Sequence, residues 1–394
     1  MDIFRLDPTT YQPDALLEGY NSMIWTERHL GAGDFEFKTS EVFPTMPLLP
    51  EGTLLSLLDS SEVMIVESRV IEEDSEGRPE LKVTGRSFET FLENRILLAA
   101  VYRTPWLTTK TYTPSEMAEL LLWNHLVNTT GEDPTRPDWT IDNKTGIPNI
   151  VVTDSAILPE TAKGWWLEEG DVYSLFQGFL SLGVLGIRNV RPHNTSADVV
   201  TFDTTRTATR GNVIKTAKTN IQELRLDVYS GIDRTRYQTD REPVMFHYDS
   251  GHIDNPSYLF STKEYKTMVT ISASFGSVNV YPEAFASNDQ LTGYQRRTLF
   301  MDGGDMGEQD FQTFLAVLVQ KAQMELKKHQ KLRLFDGAIS PVSPYIYGKD
   351  YLLGDKVTLM AQYGFEQTMV VSEYVRTEDV DGDRGYPGLS SLPE

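Results

Sequence analysis

The stretch Leu81–Leu97, LKVTGRSFETFLENRIL, sets a glycine and an arginine where a strand pattern gives way to a helical one. Gly85 and Arg86 in that place, with Arg95 beyond them, are the residue types of a phosphate cradle. There, backbone N–H groups and a guanidinium together hold an anion. The same residues also make an ordinary packed strand–turn–helix. His247, Asp249 and His252 in FHYDSGH offer three metal-ligand types in what reads as a loop. DVDGDRG, Asp379 to Gly385, opens like a calcium loop, but its twelfth position is Ser390 and not glutamate. Trp165–Trp166 ahead of Glu168–Glu169 could offer a sugar an aromatic platform and two carboxylates. The plainer readings are preferred for all three: a solvated polar turn, an acidic tail and an aromatic cluster on a core. No metal and no cofactor is expected.

Larger catalytic signatures are missing. The sequence holds no GxSxG, GxxxxGK(S/T), GxGxxG or HExxH. Acidic residues number 57, so a carboxylate pair somewhere carries no information. No catalytic residue is assigned, and the chain is read as a non-enzyme. It has no cysteine, which excludes disulfides, thiolate metal sites and cysteine nucleophiles. Its formal net charge of −21 repels nucleic acid at long range, and basic residues do not interleave with aromatics as in a nucleic-acid site. The N-terminus lacks the basic and apolar regions of a signal peptide. The longest apolar runs, 96–102 and 176–187, are too short to span a bilayer. A soluble protein made in cytoplasm is the expectation.

Several elements must position these residues. Phe35 and Phe37 alternate with Glu36 as in a half-buried strand. Val63–Glu73 and the ELKVTG that follows read as a hairpin. Ser87 is placed as the cap of a helix whose face holds Phe88, Phe91, Leu92 and Ile96. Thr113, Pro114 and Glu116 spell a capping box with proline in the first turn. Residues 129–165 are rich in turn formers and read as a long loop with a hairpin. A third helix is placed at 171–183, with Leu175, Phe176, Phe179 and Leu180 as its apolar side. Strands at LRLDVY and KTMVTISASFG precede the longest helix, 307–329, which buries Phe311, Phe314, Leu315, Leu318, Ala322 and Leu326. GDKVTLMA and TMVVSEYV return to strand, and 381–394 is expected to be a flexible acidic tail. The fold class is α+β, mainly β, with more than one antiparallel barrel or sandwich.

Five segments then occur in a telling order: YNSMIWTERHLGAGDFEF, VIEEDSEGRPELKVTGRSFETFLENRI, LDVYSGIDRT, PVMFHYDSG with YLFSTKEYKTMVTI, and YGKDYLLGDKVTLMA. Their order and texture resemble siphophage tail hub proteins of the Gp37-like, tail-associated (Tal) type, from about Tyr20 to Val375. The resemblance implies a virion structural protein: a homotrimeric baseplate hub assembled in host cytoplasm and placed at the tail tip. Each subunit would carry two antiparallel β-barrel tube domains, residues 1–105 and 201–380, around a helical insertion, 106–200. Implied partners are the distal tail protein ring, the tape-measure protein, and tip fibres or receptor-binding proteins. Phage DNA would pass the hub during ejection without specific binding. The residues that carry the likeness are Gly31, Gly33, Gly85, Arg86, Arg95, Gly231, Asp233, Gly354 and Asp355, as structural or interface groups. Tyr265–Lys266–Thr267 stands where the family leads us to expect a nearby asparagine. Longer relatives continue into a wall hydrolase or fibre part, and no such activity is expected here. The rival readings are a tip hydrolase centred on Trp165, Trp166, Glu168 and Glu169, and a receptor-binding module in the 129–165 loop.

Overall fold

The computed structural model describes residues 1–60, 62–73, 76–97, 113–127, 132–133, 136–140, 146–147, 149–154, 170–190, 224–286, 290–304, 311–340, 343–360, 362, 366–380 and 382–391. Strands fill the first part of the chain, with clean alternation in β4 and β7: β1 (Ile3–Leu6), β2 (Pro13–Leu17), β3 (Ser22–Arg28), β4 (Asp34–Thr39), β5 (Leu54–Leu57), β6 (Val63–Glu73) and β7 (Pro79–Ser87). They pair antiparallel in the order β2–β1–β5–β6–β7–β4–β3. One face buries Met23, Trp25, Phe35, Phe37, Leu81 and Val83.

The middle of the chain is helical. After β8 (Ile96–Leu97) comes helix α1 (Pro114–Leu122), prolonged by a wider π-helical turn over Trp123–Val127. Thr113 and Glu116 close its capping box reciprocally. Strands β9 (Glu132–Asp133) and β10 (Arg136–Thr140) pair antiparallel within the expected loop. Next come β11 (Ile150–Asp154), β12 (Gly170–Asp171), helix α2 (Val172–Gly183), capped by Asp171, β13 (Leu185–Val190) and β14 (Leu224–Ser230). β14 lies between β11, parallel to it, and β13, antiparallel. Leu121, Phe176, Phe179 and Leu226 share a core with Phe4, Phe88 and Leu92 from the first segment.

The last third holds β15 (Met245–His247), β16 (Ile253–Ser261), β17 (Met268–Phe275), β18 (Val278–Val280), β19 (Glu283–Phe285), β20 (Thr298–Gly304), helix α3 (Phe311–Lys328), β21 (Leu332–Ile339), β22 (Lys356–Met360), β23 (Glu366–Asp379) and β24 (Gly382–Ser391). β17 to β20 form a four-stranded sheet, and α3 packs Phe314, Leu318, Ala322 and Leu326 against its Val269 and Ile271. The final strands join the first ones: β23 pairs antiparallel with β3 from Glu373↔Arg28 to Glu378↔Met23. One sheet therefore runs β16–β21–β24–β23–β3 and on through the N-terminal strands to β2. The molecule is mainly β with few helices.

Several expectations change. Gly85 and Arg86 lie inside β7, paired on both sides, and the turn begins only at Ser87. Phe88–Asn94 winds as a 3-10 helix, and Ser87 makes no cap bond because its Oγ already serves the Gly33 N–H and Glu89. Ile96, expected on the apolar face, is exposed in a short strand. Residues Gly382–Ser391 of the presumed flexible tail form β24, held along β23 from Asp379↔Gly382 to Met369↔Ser391. Within DVDGDRG, Asp379 and Gly382 to Gly385 therefore pair in a β-hairpin. Among the described residues no sheet closes on itself as a barrel; the large one runs between edge strands β16 and β2. Residues 307–310 and the boundaries expected at 105–106 and 200–201 lie outside the described residues. No described helix is long and apolar enough to cross a membrane.

Candidate functional site

The period of β3 carries two ionisable side chains inward. Met23, Trp25 and Glu27 share the buried face, and His29 follows in phase; Glu27 is 1% and His29 0% exposed. Both meet groups from distant parts of the chain. Glu27 Oε1 accepts from Arg376 Nη1 of β23, and Glu27 Oε2 accepts from the Tyr347 hydroxyl at 3.0 Å. Arg376 Nη2 donates to the Asp59 carbonyl at 2.8 Å. The guanidinium also lies over the rings of Tyr374 and Tyr347, 4.9 and 5.4 Å away, and these rings stack on each other at 3.8 Å. Burial, and the Glu27 charge beside it, hold the Tyr347 phenol well above its ordinary range.

His29 marks a second junction. Its Nε2 lies 3.3 Å from the Val184 carbonyl and its Nδ1 3.4 Å from the Tyr229 hydroxyl. A carbonyl only accepts, so Nε2 carries the proton and Nδ1 accepts from Tyr229. Burial pushes this imidazole down to about 4, only partly opposed by the Val184 carbonyl and the Asp355 charge. The ring rests against Gly354, where an added Cβ would come within 2.5 Å of it.

Gly354 in turn meets Gly231, and no side chain fits between them. A Cβ on Gly231 would lie 1.8 Å from the Gly354 carbonyl oxygen, and Gly354 itself has φ +84°. Asp355, 1% exposed, fastens the two segments. Its Oδ1 accepts from the Ile232 N–H at 2.8 Å, and its Oδ2 from Arg234 Nε at 2.7 Å and the Leu352 N–H at 3.0 Å. Asp233 turns the chain beside it by accepting from the Thr235 N–H and hydroxyl. Gly231, Asp233, Gly354 and Asp355 thus converge across more than a hundred residues of sequence.

The other candidates lie in the N-terminal half. Gly31 and Gly33 form the turn between β3 and β4, and the Gly33 N–H donates to Ser87 Oγ at 2.8 Å. Gly85 allows close passage of β6, since a Cβ would sit 1.8 Å from the Ile65 carbonyl oxygen. Arg86 forks onto Glu67 and Glu93 at 2.7–2.8 Å, and hydrogen bonds to these two carboxylates raise its pKa. Arg95 donates from Nε to the His125 carbonyl at 3.1 Å and lies 5.0 Å from the Phe91 ring centroid. Burial first, and the Arg95 charge second, push His125 down to about 4. These two arginines are fastened to protein groups rather than poised around an anion. Among the described residues no three carboxylate or imidazole groups converge to hold a metal. Trp165, Trp166, Glu168 and Glu169 lie outside the described residues.

Sequence reasoning missed Glu27, His29, Tyr229, Tyr347 and Arg376. A signal existed for the first two: the two-residue period of MIWTERH assigns them the same face as Met23 and Trp25. Nothing local marks their partners. Chemically, the site is a clamp: ion pair, imidazole and backbone contacts lock the N-terminal sheet, the middle sheet and the last strands together.

The family model for the Siphovirus ReqiPepy6 Gp37-like protein matches residues 3–386. The chain belongs to this family. No curated protein matches it. Among solved structures, the Gp37-like chain is similar to the 43 kDa tail protein of prophage MuSo2 from Shewanella oneidensis, with a TM-score of 0.52 at 10% identity over 99% of this chain and 98% of that one. A tail protein from Neisseria meningitidis MC58 gives 0.48 at 14% identity over 99% and 97%. A component of the E. coli type VI secretion system, described as structurally similar to T4 tail proteins gp27 and gp5, gives 0.41 at 9% identity over 95% and 74%. At such identities the likeness is one of fold. Family membership makes this Gp37-like chain a phage tail structural protein and a virion component.

Proposed function

We propose that the chain is the hub of a siphophage tail tip: a homotrimeric, non-enzymatic adaptor that closes the tail tube and opens for DNA ejection. The observation that carries this reading is the family match across nearly the whole chain, residues 3–386. The clamp fits the role. A subunit that bears axial load needs its distant segments fixed to each other, and here Glu27–Arg376 binds the first strands to the last and Asp355 binds the segment after β14 to the last part of the chain. In this reading residues 1–105 and 201–380 are the two tube-type units and 106–200 the insertion, with closure of the barrels supplied by neighbouring subunits. The open edges β2 and β16 leave room for such closure. Above would sit the distal tail protein ring, within the bore the tape-measure protein, and below the tip fibres or receptor-binding proteins. Gly31, Gly33, Gly85, Arg86 and Arg95 then act through the shape of the N-terminal sheet. The charge of −21 supports a bore that repels DNA phosphates.

Native mass of the purified chain, with reconstruction of virions, tests the proposal. The expected particle has three copies of the 44.6 kDa chain at the tail tip. A single copy in the virion would refute it.

A further inference from the structure

Two distant parts of the molecule carry opposite charge. Strand β6 pairs with β5 only from Val63 to Ile65 and β7 with β4 only from Leu81 to Arg86, so Glu72–Glu73 and Pro79–Glu80, at the far end of the hairpin, extend past both neighbours. Glu72 and Glu73 lie exposed near its tip, where the Glu72 charge also acts on Lys82 of β7. Beside them Val70 and Ile71 are 42% and 51% exposed.

At the far end, β16, β17, β20, β21 and the close of α3 meet in a basic corner on this acidic chain. The Lys266 N–H donates to the His329 carbonyl, and the Thr267 N–H to the Arg297 carbonyl. The Arg297 guanidinium and the Lys331 ammonium lie 5.9 and 5.2 Å from the Tyr265 ring centroid. Lys263 and Lys266 pair with no carboxylate among the described residues, while nearby Glu325 is taken by Lys328 at 2.8 Å. Glu264 is the remaining acid in that loop. Phe260 and Leu332, 57% and 42% exposed, flank the corner.

We infer that the β6–β7 hairpin of one copy docks on the basic corner of a second copy. Charge complements charge, and exposed apolar side chains border the charges on both surfaces. β6 and β16 are seven strand positions apart in the sheet, on the order of 30 Å at about 4.8 Å per strand. The hairpin therefore reaches a neighbour's corner and not its own. When each copy gives its hairpin to one neighbour and its corner to another, the contact is head-to-tail and closes into a ring when the rotation permits. The inference rests on the trimer reading for the size of that ring.

Charge reversal tests it in the full chain by sedimentation velocity. Glu72→Lys with Glu73→Lys is expected to weaken association at least about tenfold, more at low salt than at high. Adding Lys266→Glu and Arg297→Glu restores it. Because the chain has no cysteine, Glu72→Cys with Lys266→Cys supplies the only thiols, and oxidation should give a disulfide ladder ending at trimer. Unchanged association in the hairpin variant, or loss that the corner reversal does not rescue, overturns the inference and leaves the hub reading standing. A wild-type chain that is monomeric at every concentration, and in virions, overturns the hub reading itself.

Discussion

Arg376→Met removes the cation of the buried clamp while keeping most of its volume. The side chains of Arg376 and Glu27 are 10% and 2% exposed, so water replaces little of what is lost. Glu27 would keep only the Tyr347 hydroxyl, and the Asp59 carbonyl would lose a donor. Breaking a buried pair from one side costs about 3–5 kcal/mol. With an unfolding entropy near 2.1 cal/mol/K per residue, a chain of 394 residues that unfolds as one unit loses about 4–6 °C in Tm. The double variant Glu27→Leu, Arg376→Met removes the stranded charge as well and should recover most of the loss. Calorimetry reports both. Native-state hydrogen exchange adds location, because β23 should open from β3 before the α3 sheet does. A single variant within about 1 kcal/mol of wild type would refute the argument, since a desolvated pair cannot be broken that cheaply.

The imidazoles of His29 and His125 are held neutral with pKa values of about 4. An unfolded histidine titrates near 6.5, so their contribution is full above about pH 6.5 and is lost as pH falls toward 4, by at most about 3 kcal/mol each. Denaturant melts from pH 7.5 to 4.5 should show this loss, and His29→Gln should remove part of the slope. Gly354→Ala puts a methyl 2.5 Å from the His29 ring, whereas Gly251→Ala, also at positive φ, meets open space. Both pay backbone strain of about 1 kcal/mol, and only the first should cost several, read as the difference in Tm. Thr113→Ala opens the capping box of α1 and should lower stability by about 1 kcal/mol in urea melts.

Local instructions were the legible part of this sequence. Asp171, Thr113, Pro114 and Glu116 cap helices that begin where those residues say. The spacing of Phe314, Leu318, Ala322 and Leu326 names the face that α3 buries. Periodicity reports a face, not a partner, and that is why β23 pairing with β3, and Gly231 meeting Gly354, could not be read. The last strand was misread for a related reason. Composition made 381–394 look mobile, but Pro387 and Leu389 alternate inward. β24 pairs with β21 only at Ser390, so the missing N–H of Pro387 breaks no bond of that ladder. Gly85 and Arg86 show the opposite error: a glycine that suggests a turn can instead admit a neighbouring strand.

The charge distribution also favours one symmetry of contact over another. An isologous pair of hairpins would press Glu72 and Glu73 against their own copies, and an isologous pair of corners would face Lys263 and Lys266 with lysines. Like charges at contact distance repel by about 1 kcal/mol even in bulk water, and by several times that near a protein surface. A head-to-tail arrangement turns both repulsions into attractions without changing a residue. The same arithmetic limits the alternatives for an acidic tail protein: its copies repel as whole bodies, so a contact that joins them needs local opposite charge at close range, where the net −21 is screened beyond about 10 Å.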